Sequence, residues 1–299
     1  MKLGLFTVSY AGFWGQATVP LEAVPAKARA LGYDGVMLMA KRPHAFPADM
    51  TEARRSEFRR LLSENKQELC CVGAYTNFTA GIESGEVPLI DFQADYVGQC
   101  AKLARDLGGN VVRIFTGYEV AGVPFQQLWS MCVKGVQASC DAAAPFGVTV
   151  GVQNHHDIGV HTAALEEFVR DVNRPNCAPL LDAWSPALRG ENVAAAAKSI
   201  GKRTPQTIVA DYVRLPRARY KPDLVNYDAA GTDAVRAVPM GEGCIDYRGF
   251  LTGLRAGGFD GWVIYEMCSP LRGGGAMENL DKCAKTFVQF MKTTEGVRD

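Results

Sequence analysis

The chain alternates between short apolar runs and longer segments in which apolar residues recur every three or four positions. The runs KLGLFTVSY, GVMLMA, ELCCVGAY, NVVRIFTG, VTVGVQNHH, APLLDAW, TIVADYVRL and WVIYEM read as strands. They are continuous rather than alternating, which is the pattern of parallel strands covered on both faces. The segments between them, from LEAVPAKARAL to AMENLDKCAKTFVQFMK, read as helices. Thr51 and Asp246 stand as N-caps, and Gly32, Gly108-Gly109 and Gly147 stand as stops. After TIVADYVRL a long irregular loop is expected before YRGFLTGLRAG. Near the two ends, RALGYDG is echoed by RAGGFDG, each marking a helix end, a glycine turn and re-entry into a strand. Eight strand–helix pairs predict an α/β fold, a (β/α)8 barrel of parallel strands in one domain over residues 1–299. A doubly wound open sheet is the runner-up, but no GxGxxG or P-loop follows the first strand.

Charge removes some classes of partner. There are 32 basic and 32 acidic side chains, so no net field favours nucleic acid or an anionic membrane. No apolar run approaches the roughly 20 residues of a membrane span. The start MKLGLFTVSYAGFWG is broken by Gly and Ser-Tyr and reads as a first strand, not a signal peptide. Nine cysteines, none in a CxxC pair, lie in apolar strand or helix contexts and suit buried free thiols in a reducing cytoplasm. Association into a homo-oligomer, or with a small partner subunit, is compatible with this composition.

A barrel of this kind places its chemistry at the carboxyl ends of the strands. Strand 2 ends in Lys41-Arg42-Pro43-His44, strand 3 in Tyr75-Thr76-Asn77, and strand 4 carries Arg113. Strand 5 ends in Gln153-Asn154-His155-His156, strand 6 in Asp182-Ala183-Trp184, strand 7 in Asp211-Tyr212-Val213-Arg214 and strand 8 in Glu266. The turns at the opposite rim (GYDG, GGN, FGV, GFDG) are small or apolar, so polar groups gather at one end only. Asp182 and Glu266 close buried runs, where an unpaired charge would be costly. With an amide and another Asp nearby, they form a hard-oxygen pocket suited to Mg, Mn or Co. Strand alternation lets only one of His155 and His156 point inward. His161, beside a helix start, reads as surface or capping. Phe13, Trp14, Phe46 and Trp184 would stack on a sugar or an aromatic group, or pack as a lid.

The segments PMGEGCIDY, LTGLRAGGFDGW and Tyr265-Glu266, with LGYDGVML, VQNHH and LLDAW, carry a resemblance. The chain is similar to the xylose isomerase-like barrel superfamily of sugar phosphate isomerases and epimerases. That superfamily includes tagatose/psicose epimerases, inosose-processing enzymes and relatives of endonuclease IV. The resemblance implies a divalent metal held by Gln153, Asp182, Asp211 and Glu266. Gln153 stands where such epimerases have a Glu that binds metal and moves a proton. Ser185 stands where a His commonly follows the strand-6 Asp. The strand-7 ligand, usually a His, falls on Asp211 by strand length, or on Ile208 if the family's HxKD is aligned on its Asp. Contacts to a small carbohydrate are expected from Lys41, His44, Asn77, Arg113, Trp184, Arg214 and Arg217. With Gln153 unable to act as a base, Glu266 and a histidine (His155 ahead of His156) are the expected proton carriers. The leading expectation is a divalent-metal-dependent isomerase or epimerase of a sugar or sugar-derived ketone. The alternatives are a metal-dependent lyase that cleaves a 3-keto-glycoside by elimination, as C-glycoside deglycosidases do, and a metal-free sugar-binding barrel. A nuclease is disfavoured, since four histidines are too few for that cluster and no basic face is evident.

Overall fold

The structure, a computed structural model, describes residues 1–82 and 85–294. Eight parallel strands form one sheet: β1 (Lys2–Phe6), β2 (Gly35–Met39), β3 (Glu68–Gly73), β4 (Val111–Ile114), β5 (Thr149–Gln153), β6 (Cys177–Leu180), β7 (Gln206–Val209) and, last in the chain, β12 (Trp262–Tyr265). Their order, β6-β5-β4-β3-β2-β1-β12-β7, wraps into a nearly closed barrel with helices between the strands. Successive residues of a strand feed opposite faces. Leu3, Leu5, Val36, Leu38 and Val263 join the large core shared with the helices. Phe6, Met37, Met39, Ile208 and Ile264 form a separate buried cluster. Two apolar faces per strand explain why the runs are continuous. Thr51 and Asp246 cap their helices as expected, accepting from the main-chain N–H of Arg54 and Gly249.

The seam of the barrel lies between β6 and β7, where no strand ladder forms. Side chains bridge it instead. The Thr207 hydroxyl donates to the Leu181 carbonyl (2.7 Å), and the Ile208 N–H donates to Oδ1 of Asp182 (2.8 Å).

The seventh run departs from expectation. TIVADYVRL is not one strand: the barrel strand stops at Val209, and Asp211–Leu215 (β8) pairs antiparallel with Ala234–Val238 (β11). The stretch expected to be irregular holds a hairpin of β9 (Ala218–Lys221) and β10 (Asn226–Ala229). From Arg214 onward charged side chains and Pro216 interrupt the apolar run, so it cannot continue between two covered faces. The hairpin leaves Tyr220, Leu224, Val225 and Tyr227 exposed. All nine cysteines are free thiols, but Cys244 is exposed on a loop and Cys177 and Cys268 are only partly buried, so the apolar-context expectation holds for six. Among the described residues no helix is long and apolar enough to cross a membrane.

Candidate active site

A cavity of about 380 Å³ opens at the carboxyl ends of the strands. On β5 the outward residues are Val150 and Val152, so Gln153 turns inward. By the same parity Arg113 of β4, flanked by outward Val112 and Ile114, points into the barrel, and Glu266 follows outward Tyr265. Asp182 sits one residue past Leu181 on the seam. Lys41 arrives from the end of β2. Trp14, Phe115, Tyr118 and Trp184 add aromatic walls, while Tyr212, Val235 and Cys268 close the side next to β8 and β11.

These groups are tightly tied. A Gln153 side-chain N–H donates to Oδ2 of Asp182, while Gln153 Oε1 is buried with no partner among the described residues. Asn154 pairs with the Asp182 backbone in both directions, accepting at 2.7 Å and donating at 3.0 Å, which extends the β5–β6 edge by one residue. Arg113 is 1% exposed, donates to the Ala74 carbonyl (2.9 Å) and lies 4.0 Å from the centre of the Phe115 ring. The Lys41 ammonium sits 4.1 Å from the Tyr75 ring centre. Burial, with the charge of Glu266 adding to it, pushes Asp182 up to about 7. Burial also raises Glu266, while Arg113 and Lys41 pull it back down. Burial and Arg113 lower Lys41.

His155 and His156 both line the cavity, a correction to the expectation of one inward histidine. The strand has ended at Gln153, and His156 adopts a left-handed backbone (φ +66°), so alternation no longer applies. The His156 ring is stacked between Phe115 (4.3 Å) and Tyr118 (4.1 Å). Burial lowers His155 to about 4, and burial together with His155 and Arg113 lowers His156 to about 3, so both rings are neutral near pH 7.

The expected contacts divide. Lys41, Arg113, Trp184, Gln153, Asp182 and Glu266 meet in the cavity. His44 does not: it is buried behind the mouth with Nε2 against the Val19 carbonyl (3.1 Å). Asn77 lies in side recesses beside Thr79, to whose hydroxyl it is bonded (2.8 Å). Arg214 is spent on the Leu188 carbonyl (3.0 Å), and Arg217 is exposed on the arm leading to β9. Asp211 is the clearest correction. Ile208 and Ala210 line the cavity, so Asp211 has the opposite parity. Its carboxylate accepts main-chain N–H groups from Gly241, Gly243 and Tyr212 at 2.9–3.0 Å. Tyr118, Val235 and Cys268 were not expected. Tyr118 stands four residues beyond β4, and Val235 arrives through a pairing about 20 residues away in sequence.

The cation site implied by the resemblance does not fit these residues. Its strand-7 position is Ile208, Asp211 is committed elsewhere, and the Gln153 amide presents N–H to Asp182. Two acids remain, and the charges of Arg113 and Lys41 already act on one of them. Among the described residues no three His, Cys, Asp or Glu side chains form a metal-binding group.

Residues 25–287 match the family described as xylose isomerase-like TIM barrel. Fructoselysine 3-epimerase of Escherichia coli O157:H7 is 19% identical over 279 residues, covering 89% of this chain and 90% of that one. The D-psicose 3-epimerase of Clostridium cellulolyticum H10 superposes with a TM-score of 0.74 at 14% identity, over 98% of this chain and 99% of that one. A probable 3-DHS dehydratase from Bacillus anthracis superposes with a TM-score of 0.71 at 17% identity, over 96% and 99%.

Proposed function

Because the chain belongs to the xylose isomerase-like TIM barrel family, we propose that its barrel mouth moves a proton next to the carbonyl of a sugar or sugar-derived ketone, as an isomerase or epimerase. One observation carries this reading: two acids, buried Asp182 and half-buried Glu266, share a cavity with two cations, Arg113 and Lys41. An acid raised toward neutrality can take up and return a proton at working pH. The buried Arg113 guanidinium and the half-buried Lys41 ammonium can hold the oxygen on which charge develops. The strand-5 position offers an amide, so proton traffic falls to Asp182 and Glu266. The donor set does not suit a divalent cation. The relative named above is a fructoselysine 3-epimerase, which agrees with this reading.

The test is deuterium exchange from heavy water into a panel of keto-sugars. Wild type should exchange the hydrogen beside the carbonyl. Asp182→Asn or Glu266→Gln should slow exchange by about 100-fold or more, the scale of a lost acid or base. Unchanged exchange in both variants, or none in wild type with any ketose, would refute the reading.

The aromatic mouth favours a second reading. Trp14, Phe115, Tyr118 and Trp184 would suit an aromatic substituent stacked beside the sugar. A base acting next to a 3-keto group would then expel that substituent, and release of free aglycone from a 3-keto-glycoside distinguishes this elimination from isomerisation.

A further inference from the structure

The two histidines at the end of β5 fix each other's protons. A main-chain N–H can only donate, and that of His156 lies 2.7 Å from Nδ1 of His155. Nδ1 of His155 is therefore an acceptor and carries no hydrogen. Nδ1 of His156 is 2.8 Å from the same atom. Two lone pairs facing each other at that distance would repel, so Nδ1 of His156 carries its proton and donates. A neutral imidazole has one N–H, so the hydrogen of His155 sits on Nε2, at the opposite edge of the ring. That edge has no protein hydrogen-bond partner among the described residues, and the ring lines the cavity between Phe115 (4.9 Å) and Trp184 (5.6 Å). The arrangement is held firmly, because His156 is stacked on both faces and its backbone is left-handed.

We infer that His155 is a hydrogen-bond donor in the reaction, presenting Nε2–H to the substrate carbonyl oxygen and to the oxyanion formed there, and that His156 is the positioning residue that fixes this tautomer. The inference rests on the proposed proton transfer beside a carbonyl. In that step a carboxylate takes the C–H proton, the C–H electron pair becomes a C=C bond, and the carbonyl π pair moves onto oxygen. His155 keeps its proton throughout and stabilises the negative oxygen by hydrogen bonding. Return of the proton to carbon regenerates a carbonyl. The base role expected of His155 from the sequence is not open to it, because its one lone pair faces His156. A fixed neutral donor beside Arg113 and Lys41 supplies the charge stabilisation that a bound cation would otherwise give.

Two measurements test this on the full-length protein. Imidazole ¹H–¹⁵N spectra of ¹⁵N-histidine-labelled protein near pH 7, assigned with His155→Gln and His156→Phe, should show His155 protonated on Nε2 and His156 on Nδ1. In His156→Phe, which keeps a stacked ring, the His155 signals should move toward a mixture of tautomers, and kcat should fall with little change in KM. A His155 proton on Nδ1, an imidazolium, or unmoved His155 signals in His156→Phe would overturn the assignment. In ketose exchange, His155→Ala should lose about 100-fold or more, the scale of one lost oxyanion donor. His155→Gln, which restores an N–H near Nε2, should recover at least 10-fold of that. A folded His155→Gln as inactive as His155→Ala would mean that His155 is a base. If wild type exchanges no ketose, the proposed function fails, while the spectra still decide the tautomer.

Discussion

In the unfolded chain the Asp182 carboxyl titrates near 3.8, and in the folded chain burial lifts it to about 7. The fold therefore favours the protonated form. That contribution to stability is complete below the unfolded value and is lost as pH rises through the folded one. Asp182→Asn stays neutral at every pH and escapes the loss. Its melting temperature relative to wild type should therefore climb between pH 4 and pH 7 and level off above pH 8. A gap that widens on acidification instead would show that the carboxylate is held ionised. His161 lies at the other extreme, an exposed residue paired with Glu191 at 2.8 Å. Exposed pairs contribute little, so His161→Ala should change stability by less than about 1 kcal/mol and leave exchange intact. That Arg113 and Gln153 stand at the strand ends facing the cavity was legible in VVRI and VTVGVQ, whereas strand parity did not decide between His155 and His156. The entry of His156 was not legible, because it depends on one left-handed residue beyond the strand.

β8 and β11 show how far an element can depart from a local reading. VADYVRL is apolar enough to pass for the tail of a barrel strand. Only its partner Ala234–Val238, distant in sequence, makes it an antiparallel ribbon. Asp211 holds the base of that ribbon by accepting from the glycine-rich turn at 241–243, and a Cβ at Gly243 would collide with its carboxylate. The PMGEGC segment, which carries part of the family resemblance, is here the wrapping of a structural carboxylate. Asp211→Ala should cost on the order of 2 kcal/mol by leaving the buried Tyr212 N–H and the partly buried Gly241 and Gly243 N–H groups without their acceptor. The urea midpoint should shift accordingly, with metal content unchanged from wild type. A loss of bound metal in this variant would restore Asp211 to the site.

For the whole molecule, the alternation of eight apolar runs with amphipathic segments was enough to foresee the barrel, because each run had to satisfy two covered faces. The crowding of polar residues at one rim foretold where the cavity lies. The strand-7 position was harder to read, since strand length pointed to Asp211 and the family's HxKD aligned on its Asp pointed to Ile208. If the donor set is as described, prolonged treatment with EDTA followed by gel filtration should leave ketose exchange within about 2-fold of the untreated enzyme, the RT-scale change expected when no interaction is lost. Elemental analysis should find well under one transition metal per chain. A stoichiometric metal whose removal abolishes exchange would reverse that conclusion.

The seam between β6 and β7 makes the barrel a hoop fastened by a clasp, and the tongue of that clasp is the same carboxyl that faces the cavity. Whatever takes hold of Asp182 from inside the cavity must share it with the Ile208 amide in the wall. Occupancy of the cavity should therefore be felt in the wall as a change in how readily the hoop springs open. Hydrogen exchange at the Ile208 amide would report it: slowed when a ligand leaves Oδ1 to the wall, and quickened when a ligand draws that oxygen away.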